Sequence, residues 1–211
     1  RRQRQMCIRD SFGGEATQGM ERFPYNTLNA ENPGISGFGD LYQNINQMNL
    51  FISRTLHTDV LTESAKNYYL GQVYGLRAYY MYQLYRSWGD AVFTEEPSLG
   101  FEVGKLAKAA TPAAEIFEQV KKDIESSLSY FGPDYTIKEK KSLWSKAATL
   151  MLKADVYLWS AHRDGGEGDA RTAKNALVDI QNNISRSNLD LMDTYQGVFA
   201  VSYTHLRAHE T

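Results

Sequence analysis

Residues 63–90 read ESAKNYYLGQVYGLRAYYMYQLYRSWGD, and this stretch decides the fold. Thr62 or Ser64 can cap the start of a long helix, and Gly89 followed by Asp90 is a typical helix stop. Three small residues recur on one face of this helix: Gly71, Gly75 and Ala78. Small residues let a neighbouring helix approach closely, while the large apolar side chains fill the space around them. The stretch therefore predicts a long helix packed among others.

Apolar residues at helical spacing extend this pattern in both directions. They predict four more helices, at residues 40–56, 112–130, 142–162 and about 170–184. On the last of these, the side chains expected to face inward are Ala173, Ala176, Leu177 and Ile180. Asp40, Thr111 with Pro112, and Ser142 are the expected helix starts, because short polar side chains cap and proline suits the first turn. Residues 40–56 with 63–88, and 112–130 with 142–162, then form two helical hairpins joined by long loops. The prediction is an all-α fold of tetratricopeptide-like hairpins, as an incomplete domain.

Composition and charge exclude several classes of protein. The 211 residues carry a net charge of −2, which argues against a nucleic-acid binder because such a protein needs a basic face. One cysteine excludes a disulfide scaffold. No apolar run approaches the roughly 18–20 residues of a membrane-spanning helix. An ordinary soluble composition and one main domain are expected.

The two ends of the chain have a different origin from the rest. With one choice of codons, Met6–Ser11 and Val201–His205 are encoded by the same short DNA sequence in opposite orientations. We therefore expect residues 1–11 and 201–211 to be translated sequencing adapter, and residues 12–200 to be the native helical region. The only cysteine, Cys7, belongs to the first of these tails.

Motifs of catalysis, cofactor binding and metal binding are missing from the sequence. It contains no His-Glu-x-x-His, no cysteine pair, no Gly-x-Ser-x-Gly elbow and no phosphate loop with its lysine. His57 and His162 are isolated. The carboxylates of residues 164–169 could serve a calcium site, but their spacing fails the EF-hand pattern and favours a solvated turn. The expectation is a protein without catalytic residues, metal or cofactor.

Ligand binding is expected on loops, because a rigid scaffold usually presents its binding residues there. The candidates precede the first helix: Arg22, Phe23, Tyr25, Asn26 and Phe38. Aromatic faces with amide and guanidinium groups suit a polyhydroxylated ligand. A surface loop packed by its own aromatic residues is the open alternative. Seven tyrosines between residues 68 and 85 could also stack sugar rings, although packing between helices is the favoured interpretation.

Several blocks of the sequence resemble one known family in the same order. DLYQNINQMN at 40–49 is similar to its Leu-Tyr-x-x-Ile-x-x-x-Asn helix, and GQVYGLRAYYMYQL at 71–84 to its Gly-Glu-Ala-x-x-Leu-Arg-Ala block. Later blocks of the family are matched in the same order by Trp88-Gly89-Asp90 and by the SKAA and ADVYL segments within 145–158. The next helix and turn of the family are matched by Leu191, Tyr195 and Phe199. Gln72 replaces the usual glutamate. These blocks cover about residues 38–200 and resemble the SusD/RagB family of nutrient-binding lipoproteins.

The resemblance implies a function at the cell surface. It implies non-covalent capture of an oligosaccharide or glycan at the extracellular face of the outer membrane, in a polysaccharide utilisation system. The implied partner is a SusC-type TonB-dependent transporter, and the implied lipid anchor is not in this sequence. Arg77, inside a scaffold block, is expected to pair with a carboxylate rather than to touch sugar. The alternative is a tetratricopeptide scaffold that binds a peptide in its groove, and a glycosidase has no positive support.

Overall fold

The computed structural model of the protein describes residues 38–99, 108–138, 142–187, 189 and 194. Within them lie five α-helices: α1 Gly39–Leu56, α2 Glu63–Trp88, α3 Ala113–Phe131, α4 Lys146–Ser160 and α5 Gly166–Asn182. A π-helical turn, Ala161–Gly165, joins α4 to α5, and a 3-10 turn, Ser185–Ser187, follows α5. The described residues form no β-strand, only one isolated antiparallel bridge between Ala91 and Thr111. The predicted all-α class is confirmed.

The chain divides into two compact units, Arg1–Tyr42 and Gln43–Thr211. The structure describes residues 38–42 of the first unit, where α1 begins. Residues 1–11 and 201–211 lie outside the described residues. The division into two adapter-derived tails and a native region at 12–200 therefore stays a prediction.

The ends of the helices show which capping predictions hold. Thr62 caps α2, because its hydroxyl accepts a hydrogen bond from the backbone N of Ala65. The prediction that Thr111 caps α3 is wrong, because the backbone of Thr111 pairs with that of Ala91. The carboxylate of Asp90 instead accepts a hydrogen bond of 2.8 Å from the backbone N of Ala113, at the start of α3. For α4 the cap is Ser145, three residues beyond the predicted start at Ser142.

Two glycines of α2 let other helices approach closely. A Cβ on Gly71 would lie 3.0 Å from the ring of Phe131 on α3. A Cβ on Gly75 would collide with the indole of Trp144 and would lie 2.9 Å from Thr149 Oγ1 on α4. Ala78 is fully buried beside them. The small-residue face predicted from the sequence is therefore the contact face of α2.

The helix pairs in most extensive contact are α2 with α3 and α4 with α5, one helix later than the predicted hairpins. Gly71 explains the first pair, because it faces Phe131 of α3. Small residues explain the second: Ala154 of α4 and Ala173 and Ala176 of α5 share one buried cluster with Leu150 and Tyr135. Close backbone approach follows the small side chains, as expected for helix packing.

Large apolar side chains remain exposed on the second half of the bundle. Met151 and Leu158, seven residues apart on α4, are 55% and 51% exposed. Leu177, which the periodicity placed inward on α5, is 36% exposed, and Val178 is 40% exposed. The buried residues of α5 are thus Ala173 and Ala176, with Ile180 partly buried against the same cluster, and the inward prediction for Leu177 is wrong.

Candidate functional site

The structure describes one of the five residues predicted to bind a ligand. Arg22, Phe23, Tyr25 and Asn26 lie outside the described residues. Phe38 immediately precedes α1 and is 49% exposed. Its ring meets the ring of Tyr42 edge-on, with centroids 5.5 Å apart. Phe38 thus presents an accessible aromatic surface that a neighbouring ring holds in place, which is compatible with its predicted role but does not test it.

The tyrosines of α2 serve mainly in packing. Tyr82 is fully buried, and burial raises the pKa of its hydroxyl to about 12. Tyr74 stacks on Tyr130 of α3 at 5.5 Å, and Tyr85 packs against Phe117 of α3 at 4.9 Å between centroids. Only Tyr69 and Tyr79 are substantially exposed among the seven, at 37% and 41%. A continuous sugar platform along α2 is therefore not present, as the packing interpretation anticipated.

Arg77 organises the polar centre of the bundle. Its guanidinium donates two hydrogen bonds of 2.7 Å to the two carboxylate oxygens of Asp123 on α3. It donates a third, of 2.9 Å, to Oδ1 of Asn49 on α1. All three side chains are at least 97% buried. The predicted pairing of Arg77 with a carboxylate is confirmed, and it links three helices.

Burial and pairing act in opposite directions on this carboxylate. Burial raises the pKa of the Asp123 carboxyl, while hydrogen bonds from Arg77 and from Gln119, the latter at 3.0 Å, lower it. The same pairing raises the pKa of Arg77 against its own burial. A bidentate geometry with every carboxylate oxygen bonded is the arrangement that makes a buried ion pair tolerable.

Two asparagines of α1 anchor the segment of residues 94–98. Asn49 Nδ2 donates a bond of 2.6 Å to the carbonyl oxygen of Thr94. Asn46 accepts a bond of 2.7 Å from Ser98 N and donates one of 3.4 Å to Ser98 O. Sequence reasoning missed this role. Their spacing of three residues, which places both amides on one helix face, is the signal that could have revealed it.

A groove of about 390 Å³ borders the π-helical turn. Its walls combine the rings of Tyr85, Phe117 and Trp159 with charged side chains, including Lys121 and Arg163. Cations lie over two of these three rings: Arg163 is 4.6 Å from the Trp159 centroid, and Lys121 is 4.9 Å from the Phe117 centroid. Phe117 and Trp159 are thus already in contact with cations of the protein itself.

The acidic segment at 164–169 is not the loop that the sequence suggested. Residues 161–165 form the π-helical turn, and α5 begins at Gly166 rather than near Ala170. A Cβ on Gly165 would collide with the side chain of Asp169, which would have to move. In the described part of the chain, no three His, Cys, Asp or Glu side chains come together as a metal site would require. The helices described here also include none long and apolar enough to cross a membrane.

Comparisons with known proteins agree on the family. Residues 20–158 match the model of a family described as SusD-like and as starch-binding and associating with the outer membrane. The SusD-like protein P38 of Formosa agariphila is 32% identical over 113 residues, which is 52% of this chain and 20% of that protein.

Two solved structures are similar over most of the chain. NanU of B. fragilis is 49% identical, with a TM-score of 0.75, over 89% of this chain and 36% of its own. A SusD superfamily protein of Bacteroides vulgatus is 47% identical, with a TM-score of 0.73, over 86% of this chain and 36% of its own. This sequence thus spans about a third of the length of these structures and a fifth of P38. The family match covers well over half of the sequence, and its helices superpose on solved members: the chain belongs to the SusD-like family.

Proposed function

We propose that the chain is part of a cell-surface glycan-binding protein of a TonB-dependent nutrient uptake system. The match of residues 20–158 to a family described as starch-binding and outer-membrane-associated carries this proposal. The protein captures an oligosaccharide without covalent chemistry at the extracellular face and delivers it to a SusC-type transporter. A lipid anchor in another part of the protein attaches it to the outer membrane.

The proposed ligand contacts are Arg22, Phe23, Tyr25, Asn26 and Phe38. Aromatic rings stack on the apolar faces of sugar rings, while amide and guanidinium groups hydrogen-bond to hydroxyls. The exposure of Phe38 and its ordered contact with Tyr42 support this assignment. Residues 22–38 lead directly into α1, a helix tied to α2 and α3 through the buried Asn49–Arg77–Asp123 network.

The test is calorimetric titration of the chain with a panel of defined oligosaccharides, and separately with a peptide library. We expect heat with at least one oligosaccharide and no release of reducing sugar. The Phe38→Ala variant should bind about three- to tenfold more weakly, as expected for loss of one stacking ring. Phe51→Ala is the matched control, since Phe51 is 40% exposed on α1, the helix that follows Phe38, and is not a proposed contact.

The result also distinguishes the alternative function. Heat with peptides and with no oligosaccharide would favour a tetratricopeptide-type scaffold instead. Partnership with a transporter is tested separately, by co-purification with the product of an adjacent TonB-dependent transporter gene. If the protein and the transporter do not co-purify from the outer membrane, the proposed delivery of ligand to the transporter is refuted, while the proposed binding of glycan still stands.

A further inference from the structure

A second groove, of about 410 Å³, opens where α2 begins and α3 ends. We refer to it as the helix-end groove. It is lined by Ser64, Asn67 and Tyr68 of α2, Ser129 and Tyr130 of α3, and Lys138 of the segment that follows. Its volume lies within the range of about 300–1,000 Å³ found for small-molecule sites.

The helix-end groove offers neutral hydrogen-bonding groups. Ser64, Asn67 and Ser129 are exposed, and their side chains form no hydrogen bond to the rest of the described chain. Two hydroxyls and one amide supply both donors and acceptors. Each therefore exchanges a bond to water for a bond to a ligand, without breaking an interaction inside the protein.

The charges of the groove are already paired. The Asp134 carboxylate accepts hydrogen bonds from the backbone N and the hydroxyl of Thr136, at 3.0 and 2.6 Å. Its other oxygen lies 3.2 Å from Nζ of Lys138. One carboxylate and one ammonium group leave no net charge to select an ion. The groove beside the π-helical turn differs, because five of its twelve lining residues carry a charge.

The aromatic rings of the groove are held before any ligand arrives. Tyr130 stacks on Tyr74 at 5.5 Å, and Tyr68 contacts the buried Phe131 edge-on at 6.4 Å between centroids. The Lys138 ammonium lies 4.5 Å from the centroid of Tyr68. Pre-ordered rings lose little conformational entropy when a ligand packs against them.

We propose that the helix-end groove is a carbohydrate-contact site for a neutral oligosaccharide, formed by residues other than those at 22–38. Uncharged donors and acceptors around fixed tyrosines match the hydroxyls and apolar ring faces of a sugar, and the volume admits a short oligosaccharide. This inference rests on the proposed function, because it adds a second contact to glycan capture.

The test is titration of the chain with defined neutral oligosaccharides, beginning with maltoheptaose, and of the double variant Asn67→Ala/Ser129→Ala. Loss of one hydrogen bond corresponds to about a three- to tenfold weaker affinity, so the double variant should bind at least that much more weakly. Its unfolding midpoint should not change, because both residues are exposed and unbonded. Asn175→Ala, at an exposed asparagine of α5, is the matched control and should bind as the parent does.

Two outcomes overturn the inference, and they are distinguishable. If an oligosaccharide binds and the double variant binds it equally well, the helix-end groove is not a contact site and the proposed function stands. If no oligosaccharide of the panel binds, the proposed function and this inference both fail. Amide chemical shifts that move at Asn67 and Ser129 on addition of the bound sugar would support the groove directly.

Discussion

The guanidinium of Arg77 and the carboxylate of Asp123 face each other edge to edge, joined by two parallel hydrogen bonds of 2.7 Å. The side chains are only 3% and 1% exposed. A buried pair of this kind has a large desolvation cost. It is offset by the bidentate geometry, by the hydrogen bond that Arg77 donates to Asn49, and by the hydrogen bond that Asp123 accepts from Gln119. The energetic role of the pair is therefore best seen by removing one partner.

Asp123→Ala leaves the Arg77 charge buried without a carboxylate, so we expect the free energy of unfolding to fall by about 3–5 kcal/mol. Urea denaturation followed by circular dichroism measures this change. Lys122→Ala, on the same helix in an exposed ion pair with Glu95, should change stability by less than about 1 kcal/mol. The double variant Arg77→Met/Asp123→Leu should lose less than Asp123→Ala. A larger loss would contradict the desolvation argument.

Gly75→Ala tests the close approach of α2 and α4. Alanine favours an isolated helix, but the added Cβ would collide with Trp144 and press on Thr149. We expect a net destabilisation of about 1–3 kcal/mol, measured as a lower unfolding midpoint. Gly168→Ala provides the contrast, because nothing lies within 4 Å of its Cβ position in α5. It should be neutral or stabilise by up to about 1 kcal/mol, and equal effects of the two substitutions would refute the steric explanation.

Tyr135, in the buried cluster between α4 and α5, predicts a loss of stability in strongly alkaline solution. Burial, followed by a hydrogen bond to Asp179, raises the pKa of Tyr135 from 10.0 to about 12. The folded state therefore retains the phenolic proton over a pH range in which the unfolded state releases it. The stabilisation is complete below pH 10 and declines as pH rises through about 12.

Comparison with Tyr135→Phe isolates this contribution. Phenylalanine cannot ionise, so the stability of the variant should fall less steeply between pH 10 and about 12. Unfolding experiments at several pH values, with phenolate absorbance recorded in parallel, provide the measurement. Identical pH profiles for the two proteins would show that Tyr135 ionises equally in both states.

Removal of residues 1–11 and 201–211 tests the predicted origin of the two ends. Segments that do not belong to the native fold should contribute nothing to its stability, so the unfolding midpoint and the helical circular dichroism signal should stay the same. A lower midpoint in the trimmed chain would mean that at least one end packs on the helices. The nucleotide sequence checks the same prediction independently, since the two ends should contain the inverted repeat.

Local patterns predicted the helices well, and non-local contacts account for the errors. The spacing of apolar residues placed α2 at its observed bounds, and Gly71 and Gly75 correctly indicated its contact face. The cap of α3 was missed because its side chain, Asp90, lies 23 residues before Ala113 in the sequence, and the backbone N of Ala113 is the donor of the hydrogen bond. Only the folded chain brings such groups together.

The candidate site was predictable to a smaller extent. Arg77 was expected to meet a carboxylate, but nothing in the sequence selected Asp123, 46 residues away, among 25 acidic residues. The helix-end groove was not anticipated, since its lining residues come from two helices and a turn. Periodicity identifies the face of a single helix, whereas a groove depends on where three segments meet.

The anchoring of residues 94–98 has a consequence for how this protein can diverge. Asn46 hydrogen-bonds to the backbone of Ser98, and Asn49 hydrogen-bonds to the backbone carbonyl of Thr94. Any amino acid would supply the same backbone atoms, except that proline at position 98 would lack the N–H. The side chains of this stretch are therefore free to be replaced without releasing it from α1. Because the two α1 asparagines bind its backbone, the side chains of residues 94–98 can change in chemical character while the path of the backbone stays the same.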